Sequence, residues 1–382
     1  MPQSRPLRVG IVGFGFIGKV HAYAYQTLPF YYDPLPVETR ITHVVTQHEE
    51  TASRARQLLG AEVGTTDYRA VTENPQVDIV HICTPNHAHA PALLSAIEHG
   101  KHIYCDKPLT ATWQEACEIA RLLDSYRATG QMTFHNRFFP ALLHARQLVE
   151  QGRLGTVLSF RIAYLHGGSA DPDAPLKWKL SAMAGGGVIA DLGAHVLDLL
   201  EYLAGPIQSV MAATHIAYAE RPSAADPTVR LPVDAEDTVI CLARLQSGAI
   251  GSLEATKIAT GMEDELRLEI HGARGAMRFN LMDPHHLEFH PLPSPGDFGV
   301  WQRIDTGQRF PPPATHFPSP KASIGWLRAH VACLANFLAA VATGQPAAPN
   351  LQQGVRVQQL IEAVKRSASN EAWQDVASVS TT

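Results

Sequence analysis

The chain has 382 residues, with 31 Lys+Arg against 36 Asp+Glu and a formal net charge of −5. At about 150 residues per domain this length favours two domains, and a mildly acidic surface lacks the cationic footprint that nucleic acid requires. Hydrophobic residues at 45% and charged residues at 18% exclude wholesale disorder. In chain order, strands are predicted at 7–12, 41–45, 78–83, 101–105 and 131–134, with helices at 21–28, 52–59, 90–99 and 112–128 between them. Strands separated by helices need crossover connections, hence a mostly parallel sheet covered on both faces. Beyond residue 133 the strand-like runs 156–164, 238–245, 249–256, 265–271 and 276–280 are joined by short turns. Leu266, Leu268 and Ile270 alternate with Arg267, Glu269 and His271, so one sheet face is buried and the other polar. The expectation is an α/β domain over 1–132, followed by an α+β domain over 133–382 with a large, mainly antiparallel sheet. The proline-rich stretches 291–295 and 310–320 read as extended loops.

Five scattered cysteines without CxxC spacing argue against a disulfide framework or a thiolate zinc site, and a reducing cytoplasm is the expected location. Arg5 and Arg8 before the apolar run 9–17, then Ala22-Tyr23-Ala24, imitate a secretory leader. Gly10, Gly13 and Gly15 interrupt that run and suit a strand and turn better. No run approaches the roughly 18 apolar residues of a membrane span.

Gly13-Phe14-Gly15-Phe16-Ile17-Gly18 fits G-x-G-x-x-G directly after a predicted strand, the context that gives the pattern meaning. Gly13 makes the tight turn, Gly15 admits a pyrophosphate to the backbone, and Gly18 lets helix and strand pack closely. The helix N-terminus then offers free N–H groups to phosphate. These features define a Rossmann dinucleotide-binding domain. The second strand ends Val44-Val45-Thr46-Gln47-His48 without the acid that accepts from an NAD ribose. Thr46 is the ribose candidate there and Arg54 lies a turn away, so NAD and NADP both stay open.

Asp106-Lys107-Pro108 follows the strand ending at Cys105, and ligands of open parallel sheets sit at strand carboxyl ends. Lys107 is therefore directed at the nicotinamide region. A second element is Gly185-Gly186-Gly187 followed by a predicted helix over 188–203, with the apolar stripe Val188, Leu192, Val196, Leu199 and Leu203. Asp191, His195 and Asp198 stand at i, i+4 and i+7 beside it. Gly193 inside a helix costs about 1 kcal/mol against alanine, which is a sign of close approach to the backbone. His87 and His89 have metal-like spacing, but their place after a strand puts them at the cofactor crevice, and no metal is expected.

Taken together, the glycine motif, Thr84-Pro85-Asn86-His87-Ala88-His89, Lys107-Pro108 and Gly185-Gly186-Gly187 with Asp191, Gly193 and His195 resemble the Gfo/Idh/MocA oxidoreductases. Tyr164–Pro172, Leu176-Lys177-Trp178, Glu269–Gly272 and Arg278-Phe279-Asn280 look most like its levoglucosan dehydrogenase branch, sugar 3-dehydrogenases. The resemblance implies Lys107, Asp191 and His195 as the catalytic set. It also implies that Thr84, Pro85, Asn86, His89, Asp106 and Lys107 border the nicotinamide and its ribose, although the family usually has Glu where Asp106 stands. Histidine suits removal of a hydroxyl proton near neutral pH, and Lys107 suits the developing alkoxide. Asn136, Arg137, Tyr164, Lys177 and Trp178 are candidates for a sugar or polyol substrate. A homo-oligomer, dimer or tetramer, is expected through the open sheet face, and no membrane or nucleic-acid partner. The rival readings are an NAD-dependent glycosidase or lyase acting by transient oxidation, and a non-enzymatic nucleotide-sensing regulator.

Overall fold

A computed structural model describes residues 5–380. The apolar run after the first residues forms β1 (Leu7–Val12), and the chain turns at Gly13 into α1 (Phe16–Tyr31). β2 (Thr39–Val45), α2 (Glu49–Leu59), β3 (Val63–Thr65), α3 (Arg69–Thr72) and β4 (Ile79–Ile82) follow. Then come α4 (His89–Glu98), β5 (His102–Cys105), α5 (Trp113–Leu123) and β6 (Gly130–Met132). α5 starts on a capping box between Thr112 and Glu115, a local signal that fixes its first residue. It ends earlier than the predicted 128. The six strands are all parallel, in the order β3-β2-β1-β4-β5-β6, the Rossmann arrangement. β4 is buried throughout, as a strand covered on both faces must be.

The remaining elements are α6 (Pro140–Glu150), β7 (Val157–Leu165), α7 (Ala194–Ala204), β8 (Ile207–His215), β9 (Glu220–Pro222), β10 (Arg230–Pro232) and β11 (Thr238–Leu245). They continue with β12 (Ile250–Thr256), β13 (Glu265–Gly272), β14 (Gly275–Asn280), β15 (His286–Pro291), β16 (Gln302–Asp305), α8 (Trp326–Thr343), α9 (Leu351–Asn370) and β17 (Gln374–Asp375). Nine strands form one sheet in the order β16-β15-β14-β13-β7-β12-β11-β8-β17. Every pairing in it is antiparallel except β7 with β12. Along β11 burial alternates residue by residue, so Val239, Cys241, Ala243 and Leu245 face the core while Ile240, Leu242 and Arg244 are exposed.

The chain divides into two compact units. One runs through Phe138 and takes back Phe310–Arg356, and the other comprises Phe139–Arg309 and Val357–Thr382. The division differs from the expected 1–132 and 133–382 because α8 packs on α1 inside the first unit. α8 was invisible to periodicity. It is buried on most sides, from Ala329 to Ala335 without a break, so it has no polar face to set a 3.6-residue rhythm. It also corrects the expectation about apolar runs: its 18 residues have a mean hydropathy of 1.3, enough for a membrane span by length and composition. Here 61% of that window is buried as the core helix of its unit. The 310–320 stretch is tied down at its start, where the buried Arg328 guanidinium stacks 3.7 Å from the Phe310 ring. All five cysteines are buried and none forms a disulfide.

Candidate active site

In the first unit the parallel sheet carries the chain ends that matter to one edge. The ladder runs on past the strands: Gly13 N–H donates to Val45 O, Cys83 N–H to Val12 O, Asp106 N–H to Ile82 O and Thr133 N–H to Cys105 O. The glycines behave as their spacing requires. Gly13 has φ +97°, and a Cβ there would lie 2.6 Å from the Cys83 carbonyl. A Cβ on Gly18 would collide with the Gly13 carbonyl oxygen, whereas one on Gly15 would meet nothing within 4 Å. The turn is thus closed at both ends and open in the middle, with α1 starting there without a side-chain cap. Phe16 is exposed, with its ring 5.9 Å from Trp326, and Ile17 is half-buried. At the end of β4, Thr84 Oγ1 is buried without a hydrogen-bond partner, a polar atom left for a ligand. An open glycine turn, bare helix amides and this hydroxyl fit a dinucleotide.

Other predicted cofactor residues sit close by with different jobs. Thr46 Oγ1 lies 2.7 Å from Thr51 Oγ1 and donates to His48 O, so it braces the start of α2. Asn86 is buried in a one-turn 3₁₀ segment, Asn86–Ala88, that begins after Pro85. His89 is fully buried, with Nε2 2.9 Å from Thr84 O and Nδ1 3.0 Å from Pro108 O. It ties the loop after β4 to the loop after β5. Burial lowers its pKa, and the neutral ring has one N–H to donate to these two carbonyls. His87 is exposed, so the H-x-H pair does not converge. Asp106 accepts from Thr133 Oγ1, and Lys107 is half-buried beside a cis Lys107–Pro108 peptide. Asn136 and Arg137 are buried in the 3₁₀ turn His135–Phe138 and belong to this first unit.

Beneath this edge lies a buried group that spacing could not reveal. His21, His81 and Cys83 bring one ligand atom each within 4.8 Å of one another. Their contacts form a hydrogen-bonded chain: Tyr25 Oη is 2.7 Å from His81 Nε2, His81 Nδ1 is 3.3 Å from His21 Nδ1, and Cys83 Sγ is 3.1 Å from the same nitrogen. Burial pushes the His21 pKa down to about 4, with Asp106 opposing, and burial holds His81 well below its usual value. The unfolded chain therefore binds protons between pH 6.5 and 4 that the folded one does not. Stability is full above pH 6.5 and falls as the pH drops toward 4, by about 3 kcal/mol for His21 alone. Urea midpoints at pH 7 and pH 5 should show this loss, and His21→Gln should flatten it; equal slopes for both proteins would contradict the assignment.

The second unit gathers its polar groups at one end of the nine-stranded sheet, and the pairing explains why. β7 and β12 run parallel, with Leu165 opposite Thr256, so His166 and Lys257 leave at the same end. β11 and β13 run against them, with Thr238 opposite Thr256 and Glu265 opposite Leu165, so Glu236 and Asp264 enter there. Buried Tyr164 donates to Asp264 Oδ1 at 2.7 Å, and His166 Nε2 lies 2.9 Å from the same oxygen. The Tyr164 ring stands edge-on to His195 with centroids 5.9 Å apart.

Asp191 and His195 come from a helix with an unusual start. Ile189–Gly193 is a π-helical turn that runs into α7, so the straight helix predicted for 188–203 carries a local widening. Glu236 caps it, its carboxylate accepting from Ile189 N–H and its carbonyl from Val188 N–H. The glycines before the turn are explained by this approach: Gly187 has φ +107°, and its Cβ would strike the Glu236 carboxylate. A Cβ on Gly186 would lie 2.6 Å from Lys179 O. Gly193 was expected to mark such an approach and does not, since its nearest neighbours would stand at 3.5–3.8 Å, ordinary contact.

The Asp191 carboxylate is held by two ammonium groups. Lys179 Nζ lies 3.0 and 2.9 Å from its two oxygens, and Lys257 Nζ lies 3.2 Å from Oδ2. Lys179 sits 5.9 Å from the Trp178 ring centroid, and the substrate candidate Lys177, two residues before it, is exposed at the head of the 3₁₀ turn Trp178–Leu180. Arg221, also unforeseen, is fully buried and donates to the carbonyls of Ser169, Asp171 and Ala174, pinning the loop that delivers Lys179. A lysine at a strand end and an arginine inside a short strand carry no motif, so only their partners reveal them.

Residues 7–134 match the oxidoreductase family with an NAD-binding Rossmann fold, and residues 142–278 match the GFO/IDH/MocA C-terminal domain. A levoglucosan dehydrogenase of Pseudarthrobacter phenanthrenivorans is 34% identical over 98% of this chain and 99% of its own length. The chain belongs to the GFO/IDH/MocA oxidoreductase family. Inositol 2-dehydrogenase of Rhizobium meliloti is a further relative of this GFO/IDH/MocA protein, at 25% identity over 97% of this chain and 99% of that one. A solved structure of levoglucosan dehydrogenase in complex with NADH and levoglucosan superposes with a TM-score of 0.92 at 33% identity, covering 97% of this chain and 100% of that one. The first unit is accordingly the NAD-binding Rossmann domain of an oxidoreductase, and the nine-stranded sheet belongs to the family's second domain.

Proposed function

We propose that this enzyme transfers hydride between a secondary hydroxyl of a sugar or polyol, with C3 of a pyranoside the leading candidate, and NAD or NADP. The observation that carries the reading is the pairing of a buried His195 with an Asp191 fixed by lysines on one helical segment, in a chain similar over its whole length to a levoglucosan dehydrogenase. The nicotinamide cofactor, when bound, supplies the hydride acceptor. His195 takes the hydroxyl proton as general base, Lys107 stabilises negative charge developing on the oxygen, and Asp191 accepts a hydrogen bond that orients the imidazole or the reacting hydroxyl. The turn at Gly13 and the close packing at Gly18 present the backbone around Gly15 and the amides of α1 to the dinucleotide phosphates. Asn136, Arg137, Tyr164, Lys177 and Trp178 contribute to the sugar site.

A panel of sugars and polyols with each nicotinamide, followed at the absorbance of the reduced ring, tests the proposal. A pyranoside with a free C3 hydroxyl should reduce the cofactor. Glycoside cleavage without net reduction would favour transient oxidation and elimination, and dinucleotide binding without any turnover would favour a sensing role. A dimer or tetramer through the open face of the nine-stranded sheet is part of the same proposal. Ile240, Leu242 and Met211 leave apolar side chains exposed there, Leu242 directly opposite Met211. A monomer mass by light scattering would remove that part.

A further inference from the structure

We propose that Lys257 is a positioning residue of this oxidoreductase, acting through Asp191; the inference rests on the assignment of Asp191 and His195 made above. Two lysines reach the same carboxylate, but they are not equivalent. The Lys179 side chain is 47% exposed and rises from a short 3₁₀ turn, whereas the Lys257 side chain is 7% exposed at the end of β12. An exposed pair of this kind contributes little, because water screens it and the long side chain must be ordered. A desolvated ammonium interacts far more strongly, and removing it strands its partner.

Lys257 is also the better anchored of the two. Its N–H donates to Asp237 O at 2.9 Å and its carbonyl accepts from Ser169 N–H at 2.8 Å, immediately after the last β12 residue pairs with Leu165. The amine therefore projects from a rigid strand end, and a lysine this buried is rare without a partner to justify it. Asp191 faces Lys179 and Lys257, with the Glu236 carboxylate on the amide of Ile189 and the His195 imidazole on its own helix. The π-helical turn frees Asp191 from ordinary helical spacing, so it is Lys257 that sets where the carboxylate stands relative to the base one segment further on.

The test compares Lys257→Met, Lys257→Arg, Lys179→Met and Asp191→Asn on the full-length enzyme with whichever sugar the panel identifies. Lys257→Met should lower kcat about 30-fold with KM changed by less than about threefold, as expected for a misplaced carboxylate in place of a lost substrate contact. The acid limb of its kcat/KM profile, which reports the base His195, should move up, because loss of a buried positive charge nearby favours the protonated imidazole. Lys257→Arg should restore most of kcat and the original limb, Lys179→Met should cost distinctly less, and Lys257→Met should add little to Asp191→Asn. NADH affinity by fluorescence should stay at the parental value throughout, which separates a local effect from misfolding. If Lys257→Met folds poorly, Lys257→Arg and Lys257→Gln carry the comparison. Parental kcat and limb in Lys257→Met, or an equal loss in Lys179→Met, overturn the proposal. Full activity of Asp191→Asn would instead overturn the site assignment itself.

Discussion

His195→Ala is expected to lower kcat by about 10²–10⁴-fold while leaving NADH binding intact. The imidazole is buried at the start of α7, edge-on to Tyr164, in a segment whose first amide is capped by Glu236, so its position is fixed before any substrate arrives. An alanine there removes the proposed proton acceptor without disturbing the cap or the strand ends around it. Lys107→Ala should show the companion loss of about 10²–10³-fold, the usual cost of one donor to a developing oxyanion. Turnover with the best panel substrate measures the losses, and NADH fluorescence titration measures the binding. Either variant retaining full turnover would withdraw that residue from the catalytic set.

The second large effect lies in the glycine turn, where two substitutions should separate stability from binding. Gly13→Ala must place a Cβ 2.6 Å from the Cys83 carbonyl at φ +97°, so it should destabilise the first unit by about 1–3 kcal/mol and abolish measurable NADH binding. Gly15→Ala meets no protein atom within 4 Å and sits at φ −78°, so thermal stability should hold. Its NADH affinity should still fall at least about tenfold, because the new methyl occupies the space through which the backbone reaches a pyrophosphate. Melting temperature alongside titration reads both outcomes. Unchanged affinity in Gly15→Ala would place the dinucleotide elsewhere.

Much of the first unit was legible because its signals are local. β1, its glycine turn and the following helix are marked by residues a few positions apart, and the capping box of α5 is written in Thr112 and Glu115. The alternation that marks β13 survives in the structure for the same reason. Helices α8 and α9 were missed. α8 lacks a polar face, and no turn chemistry announces it. The end of α5 was overrun because its stop rests on contacts that spacing does not show: Ser125 Oγ donates to Leu122 O, and Tyr126 Oη donates to Lys101 O and Thr129 O.

The site divides along the same line. The amino-acid pattern by itself determined the glycine turn, the placing of Lys107 after a parallel strand, and the sharing of one helix by Asp191 and His195. Each follows from sterics and spacing within a dozen residues. Only the tertiary structure decided that His89 lies between two loops, that Lys179 meets Asp191, and that Lys257, Glu236 and Asp264 assemble at one sheet end. Those gatherings come from strand register between distant segments, above all the parallel pairing of β7 with β12. Backbone hydrogen bonds that set register are the same for every residue type, so the side chains they bring together leave no mark on the order of the letters.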